Sequence, residues 1–547
     1  APVFAQVSVS IAVIVGYGIM IDAGTSTLRA ILMFSVYLSA KLFGRTYDMA
    51  TALTIAACVL VTDNPAVLEY AGFVFSFGAI LAICLFYPAM KELMGQREIS
   101  ARSKIGGKIY DAFLLSFSVS LFLLPVQLYF YYELQTYAVL VNLAALPVFS
   151  VLLYLAFAGG IAAMLSLRVG GVLLLPCRWL FCFYQRLLTL ARKLPHGRYL
   201  CGRPQKWQII LFYLVVLGVI VWSRTSFGHL RRSRNAQARG HRIAGRLIPV
   251  LLLQTAVCLL CVHIRWHTEI TFLDVGQGDC CVIEQKSGST FLIDAGSSDD
   301  TRCAERRLLP FLKANGICEV DYAFLSHPDE DHMNALIACM ETAGESGVRI
   351  KNLVLSAYAG QDVKYEKIIA AAMAADCQVV SFVPGDELRI EDVAEPFCIR
   401  CLFPYGTERF ADMNDQSLLL KVEVGEFRLL FTGDMAEAEE RALLGAARES
   451  PVLWEDIQKV DVLKVAHHGS RYSTCAELLD VIAPQAAVIS SGQSSRYGHP
   501  HAETLQRLEE AKSRLFLTKE MGAVTVTLYE SRKSGMRAEI AGFLYRE

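Results

Sequence analysis

Between His327 and His332 the chain sets two imidazoles and three carboxylates in the run His327-Pro328-Asp329-Glu330-Asp331-His332. The apolar run Tyr322–Leu325 comes directly before it. A strand ending in a tight turn would project His327, Asp329, Asp331 and His332 towards one point. Nitrogen and oxygen donors in that mixture suit two divalent cations a few ångströms apart. A solvated acidic turn is the competing reading. Two further groups follow apolar runs in the same way, and a third opens a predicted helix. Leu429–Phe431 leads through Thr432-Gly433 to Asp434, and Val462–Ala466 leads to His467-His468-Gly469-Ser470. Tyr497-Gly498-His499-Pro500-His501 opens a predicted helix over Glu503–Lys512. A lone Gly-Asp is a common turn, so Asp434 gains its meaning from the order of the set. Imidazoles and backbone N–H groups at a helix N-terminus suit a phosphate, against a purely structural turn at His499 and His501.

The elements that must position these groups are legible nearby. His267–Asp274 alternates as a strand, and Val275-Gly276-Gln277-Gly278-Asp279 turns into a second strand, Cys280–Glu284. After the hairpin turn at Lys286–Ser289, Thr290–Ile293 runs into Asp294-Ala295-Gly296, giving an antiparallel start to a sheet. Leu308–Asn315 reads as a helix stopped by Gly316, and Val320–Leu325 as the strand feeding the first His/Asp group. Strands at Phe397–Phe403, Ser417–Val424 and Phe427–Thr432, alternating with helical patterns, predict an α/β sandwich.

The 547 residues carry a net charge of −1, which hides a sharp division. Residues 1–266 hold 24 Lys+Arg against 8 Asp+Glu, a net of +16, and residues 267–547 hold 28 against 45, a net of −17. A domain that acidic does not bind nucleic acid tightly and nonspecifically through its own surface. The 16 Cys show no zinc-ribbon or paired-disulfide spacing. Cys398 and Cys401 form a CxxC within an apolar strand, where their side chains face opposite ways. The chain opens at Ala1 rather than Met and enters an apolar helix almost at once, so processing and truncation both stand as readings.

Apolar runs at 3–21, 28–43, 49–62, 72–90, 110–131, 137–165, 172–190, 207–223 and 247–263 predict eight or nine membrane spans. Residues 172–190 contain Arg178, Gln185 and Arg186, so an interfacial amphipathic helix is the alternative there. Asn142 and Pro147 suggest a broken or re-entrant segment at 137–165, with Asn142 lining a path. Arg29 and Asp48 flank short helices, where interfacial snorkelling competes with pore lining. The segment Arg224–Arg246 holds seven Arg and no acidic residue. The positive-inside rule sets it in the cytoplasm, and one further span would then place the C-terminal domain outside. The segments 91–108 and 191–206 are basic too, and simple parity cannot place all three inside.

Gly24-Thr25-Ser26-Thr27-Leu28-Arg29-Ala30, Gly44-Arg45-Thr46-Tyr47-Asp48, Asn64-Pro65 with Gly72–Phe77, and Asn142–Pro147 together resemble the competence domain of the ComEC family of bacterial DNA-uptake proteins. The resemblance covers most of residues 16–160. It implies an inner-membrane channel through which single-stranded DNA enters the cell. Many relatives carry additional N-terminal helices and an OB-like domain.

The second half resembles the metallo-β-lactamase superfamily, whose signature is a strand ending in HxHxDH. Here the run is His327-x-Asp329-x-Asp331-His332, the variant that the ComEC branch shows, and Leu273–Asp279 matches that branch closely. The implied architecture is a multi-pass α-helical membrane domain, residues 1–263, followed by an αββα sandwich, residues 264–547. The implied metal ligands are His327, Asp329, Asp331, His332, Asp434 as the bridge, and His468. His467, His499 and Asp331 are the candidate catalytic residues. His467 and His468 are interchangeable in this reading. Many relatives carry another His near Asn414-Asp415-Gln416-Ser417, and none stands here, so Asn414 or Ser417 would hold water or phosphate. Ser470, His499 and His501 complete the substrate contacts. A carboxylate in the second place of the signature favours Mn²⁺ or Mg²⁺ relative to Zn²⁺ without excluding zinc.

These resemblances imply a DNA-uptake channel with a phosphodiesterase or nuclease domain that degrades the non-entering strand of a duplex. The expected partners are DNA, membrane lipid, a separate DNA receptor, a cytoplasmic ATPase or helicase, and further copies of the chain. No GxxxxGK[ST] loop occurs, so a driving ATPase would be a separate protein. A membrane-anchored hydrolase of another phosphodiester, such as a cell-wall choline-phosphate ester, and a channel with a silent scaffold domain are the alternatives.

Overall fold

The computed structural model describes all residues except 1–2, 23, 95–103, 231–236, 359–362, 391–395, 405–416, 494–496, 532–534 and 546–547. The chain divides into two compact units, Ala1–Val262 and His263–Glu547.

The first unit is helical: α1 Val3–Met20, α2 Thr25–Leu42, α3 Met49–Asp63, α4 Ala71–Leu93, α5 Lys104–Tyr131, α6 Ala138–Leu165, α7 Leu167–Lys193, α8 Lys206–Leu230 and α9 Gln237–Leu260. Each apolar run of the sequence falls on one of them. Among the described residues, five helical stretches are long and apolar enough to cross a membrane: Ala71–Leu93, Gly106–Tyr131, Ala138–Leu165, Leu167–Lys193 and Lys206–Thr225. Phe4–Met20, Met49–Asp63 and Gly245–Leu260 are apolar but shorter. The chain is a membrane protein on this ground. The expected break at 137–165 does not occur. Helix α6 runs unbroken through Asn142 and Pro147, and an apolar helix tolerates such a proline where neighbours satisfy the freed carbonyl. The basic segment 224–246 is largely helical, since α8 continues to Leu230 and α9 begins at Gln237.

Two short strands, β1 Glu133–Gln135 and β2 Arg198–Leu200, pair antiparallel. They tie the end of α5 to the segment before α8, and the Cys201 N–H donates to Tyr132 O at 2.9 Å. Helices α8 and α9 lie side by side. The Trp222 indole donates to Gly245 O at 3.0 Å near one end, and Gln208 Nε2 donates to Leu259 O at 2.6 Å near the other.

Among the described residues, the second unit holds fifteen strands in two sheets. In chain order they are β3 Thr268–Phe272, β4 Cys280–Glu284, β5 Thr290–Ala295, β6 Glu319–Phe324, β7 Arg349–Ser356, β8 Gln378–Phe382, β9 Glu387–Ile390, β10 Phe397–Phe403, β11 Leu419–Val424, β12 Phe427–Phe431, β13 Val462–Lys464, β14 Ala486–Ile489, β15 Arg514–Leu517, β16 Val524–Ser531 and β17 Gly535–Gly542. One sheet runs β17-β16-β3-β4-β5-β6-β7-β8 and the other β15-β14-β13-β12-β11-β10-β9. Each begins with antiparallel pairs and turns parallel, at β5–β6 in the first and β12–β13 in the second.

Alternation decides what fills the space between the sheets. Leu429, Val462 and Val488 enter the inter-sheet core with Ile270, Ile283 and Phe291. Their chain neighbours Leu430, Leu463 and Ile489 face outward, beneath Leu443, Leu479 and Leu508 of the covering helices. Phe291 stacks on Phe397 across the sheets with ring centroids 4.7 Å apart, a contact worth about 0.5–1.5 kcal/mol beyond its burial. Strands covered on both faces read as near-continuous apolar runs, and β4 and β5 are buried at every residue.

Candidate metal centre

Strands from both sheets deliver the His/Asp groups. Beyond β6, Leu325 N–H still bonds Val354 O at 3.0 Å, and His327 follows fully buried. Asp329 occupies the N-cap position of the helix Glu330–Glu341, so Asp331 and His332 sit in its first turn. Gly296 lets the loop after β5 press against that turn: a Cβ there would lie 2.4 Å from the Asp331 carbonyl carbon. Beyond β12, Gly433 turns the chain at φ +54°, and its missing Cβ leaves room for the Ser417 Cβ, 2.8 Å away. Asp434 is thereby aimed inward, and its N–H donates to Ser417 Oγ at 3.2 Å. Beyond β13, His467 and His468 both take left-handed conformations, φ 47° and 53°. Two adjacent non-glycine residues in that region store strain, of order 1–3 kcal/mol each, and such strain collects at functional sites.

The ring nitrogens divide their work in one consistent way. Each Nδ1 is engaged away from the centre: His327 with Ser326 Oγ at 3.0 Å, His332 with Asp294 Oδ2 at 3.0 Å, and His468 with Ser490 O at 3.2 Å. Each Nε2 is turned inward. His332 Nε2 lies 3.4 Å from Asp434 Oδ1, His327 Nε2 and His468 Nε2 each lie 3.8 Å from Asp434 Oδ2, and His468 Nε2 lies 3.5 Å from Asp331 Oδ2. The three Nε2 atoms and Asp434 Oδ1 are buried and have no hydrogen-bond partner among the described residues. Orphaned buried polar atoms are costly, so four of them converging on one point fit a cation. Engagement of the second ring nitrogen is also what fixes a histidine ligand's tautomer. Three donor groups are compatible in space among the described residues, His327/His332/Asp434, Asp331/His332/His468 and Asp279/Asp294/His332.

The charges agree with that reading. Burial pushes the Asp434 carboxyl up, but the facing His332 and His468 overcome it and hold it well below the usual range. Burial pulls His332 down, and Asp434 with Asp294 raise it well above an ordinary imidazole. His499, on the rim, is held down to about 4, first by burial and then by His468 and His467.

Residues 2–226 match the competence protein family, and residues 273–493 match the metallo-beta-lactamase superfamily. The chain joins a competence domain to a metallo-β-lactamase domain. Similarity to curated proteins extends over both. The chain is 26% identical to ComE operon protein 3 of Bacillus subtilis over 93% of its length, and 26% identical to Recombination protein 2 of Haemophilus influenzae over 94%. It is 24% identical to competence protein ComA of Neisseria gonorrhoeae over 97%. It spans 62%, 62% and 66% of those relatives. The metallo-β-lactamase fold implies divalent metal binding, and the His/Asp cluster supplies the donors.

Within this domain, the structure gathers His327, Asp331, His332, Asp434 and His468 at one point. Asp329 stands at its edge: one oxygen is 3.9 Å from His327 Nε2, while the other bonds Lys364 Nζ at 2.6 Å. His467 is a third exposed, with Nε2 3.8 Å from Asp434 Oδ2. Rings of His467, His499 and His501 form a rim, with centroids 5.6 Å apart for the first pair and 5.0 Å for the second. His501 Nδ1 accepts the Arg471 N–H at 3.2 Å, and Ser470 Oγ accepts the Tyr472 N–H at 3.3 Å, so both support the local turn. Asn414 lies outside the described residues. In the competence domain, Arg29 donates to Ser76 O at 3.2 Å and Asp48 caps α3 through the Thr51 N–H at 2.8 Å.

Sequence reasoning missed three supporting residues. Asp294 Oδ1 accepts the Ser326 N–H at 2.7 Å while Oδ2 holds His332. Asp279 pairs with buried Lys464 at 2.8 Å and lies 3.7 Å from His468 Nδ1. The available signal was a carboxylate directly after or before an apolar strand, at Asp279 and Asp294, and a lysine inside one, at Lys464.

Proposed function

We propose that this chain is the inner-membrane channel component of bacterial DNA uptake, with residues 1–263 passing single-stranded DNA into the cytoplasm. Residues 264–547 then face outward and hydrolyse phosphodiesters of the strand that does not enter. The observation that carries this reading is the convergence of three orphaned imidazole nitrogens and Asp434 in a chain whose other half matches the competence family. Asp331, His332, His468 and Asp434 would hold one divalent ion. His327, Asp434 and Asp329, released from Lys364, would hold a second. The oxygen-rich set suits Mn²⁺ or Mg²⁺ and the imidazole-rich set suits Zn²⁺. Divalent ions held by these residues would supply Lewis-acid activation of water and offset the negative charge of the phosphoryl oxygens.

The chain's own groups do the rest. His499, uncharged at neutral pH, offers a ring N–H to a phosphoryl oxygen, with His501 beside it. His467, half out of the centre, hands a proton to the leaving oxygen, and Asp331 orients the attacking water. Ser417 and Ser470 act through backbone support, at Asp434 and at the His-His turn. Duplex DNA would come from a separate receptor, and a cytoplasmic ATPase or helicase would draw the strand in.

Uptake of duplex DNA labelled on both strands tests this in cells that depend on the chain. One label should enter intact, and the other should leave as short fragments, a release abolished by Asp434→Ala. Fragment release undiminished by Asp434→Ala would remove the hydrolase half of the proposal.

A further inference from the structure

Tyr497 stands where the wall of the metal centre meets solvent. It lies between β14 and the helix Ala502–Glu510, and 65% of the residue is exposed. Its ring stacks on His499, with centroids 5.7 Å apart and planes 28° from parallel. His499 is buried, with Gln277 Nε2 3.4 Å from its Nδ1. The same imidazole ring is 6.3 Å from that of His468, whose Nε2 turns towards Asp434. Two ring-to-ring steps thus lead from an inward-turned histidine to an exposed phenol. The middle ring is buried and held by Gln277, so Tyr497 has a defined place relative to the centre.

Charge shows what such a ring can do. Residues 267–547 carry a net charge of −17, so phosphate contacts from this half's own surface supply little affinity for a polyanion. Cations beside the centre already have carboxylate partners: Arg471 Nη1 lies 3.2 Å from Glu503, and Lys364 Nζ lies 2.6 Å from Asp329. Stacking of a base on an aromatic face needs no charge and serves every base. A phenol ring left in water gains from being covered by another flat apolar face, and an unpaired base supplies one. Bases within a duplex are already stacked on one another, so the face suits a strand whose bases are free.

We propose that Tyr497 is a specificity-determining residue that stacks on the base next to the phosphate held at the metal centre. The substrate is then a strand with unpaired bases rather than a phosphodiester that carries none. The inference rests on the hydrolase reading above and deepens it: that reading names the bond that is cut, and this one names what binds beside it.

The test uses the full chain in detergent with Mn²⁺ and two single-stranded oligomers of equal length, one of deoxynucleotides and one of a base-free deoxyribose analogue. Tyr497→Ala should raise KM for the first about tenfold with kcat unchanged, the pattern of lost binding, and Tyr497→Phe should stay within about twofold of the parent. On the base-free oligomer the parent and Tyr497→Ala should give the same KM. An unchanged KM on the first oligomer overturns the proposal. The same rise on both also overturns it, because the ring would then only prop His499. Photocrosslinking of a 5-iodouracil strand, mapped by peptide mass spectrometry, gives a readout that needs no turnover. A crosslink to Tyr497 is expected, and its absence overturns the proposal. A parent that cleaves neither oligomer but crosslinks at Tyr497 removes the hydrolase reading and leaves the stacking contact standing.

Discussion

Replacing Asp294 by Asn keeps the shape of a side chain that faces His332 Nδ1, away from the inward-turned ring nitrogens, and it should nevertheless weaken metal binding. Its two oxygens accept three hydrogen bonds, from His332 Nδ1 at 3.0 Å, Ser326 Oγ at 2.7 Å and Ser326 N at 2.7 Å. An amide has one oxygen, so one side of this set must be lost, along with the charge that favours a proton on His332 Nδ1. With Nδ1 no longer committed, Nε2 spends part of its time protonated and unable to bind a cation. Loss of such a partner costs about 10- to 100-fold in metal affinity, equivalent to about 1.4–2.8 kcal/mol. Competition against a chelating dye measures this directly on the unit His263–Glu547, with circular dichroism to show an unchanged fold. An affinity within about twofold of the parent, from a folded variant, would refute the claim that Asp294 orients His332.

Two further outcomes follow from the same geometry. His332 is held well above an ordinary imidazole pKa by Asp434 and Asp294 against the effect of burial, so a cation must displace its proton. Metal loading should release protons, and apparent affinity should rise with pH through and above the ordinary imidazole range; loading without release, seen in an indicator dye, would contradict it. Lys464→Met leaves Asp279 buried without its 2.8 Å partner and should cost about 3–5 kcal/mol in urea unfolding. Adding Asp279→Asn should return much of that loss, and a double variant no better than the single one would show that the pair is not the cause.

The strand frame was legible because burial on both faces forces continuous apolar runs: Cys280–Glu284 is read from sequence with the bounds it has in the structure. The convergence of His327, Asp331, His332, Asp434 and His468 was legible because each His/Asp group follows such a run. Asp279, at the end of a glycine turn, and Asp294, near the end of β5, were not, because they acquire their roles only when folding brings residues 185 and 38 positions away within 3.0 Å. Asn142 and Pro147 suggested a broken helix, but α6 continues through both, since an apolar environment favours intact backbone pairing over local preference. Ser470 looked like a substrate contact from its place beside the two histidines. Its hydroxyl instead bonds the turn that aims them.

The central claim is metal-dependent phosphodiester cleavage at the His/Asp centre. The decisive measurement is cleavage of single- and double-stranded DNA by purified residues 264–547 with Mn²⁺, Mg²⁺ or Zn²⁺, beside Asp434→Ala and His468→Ala. The account predicts cleavage that requires a divalent ion and falls by at least about 100-fold in both variants. A folded, metal-loaded domain that cleaves neither substrate with any of the three ions would contradict it.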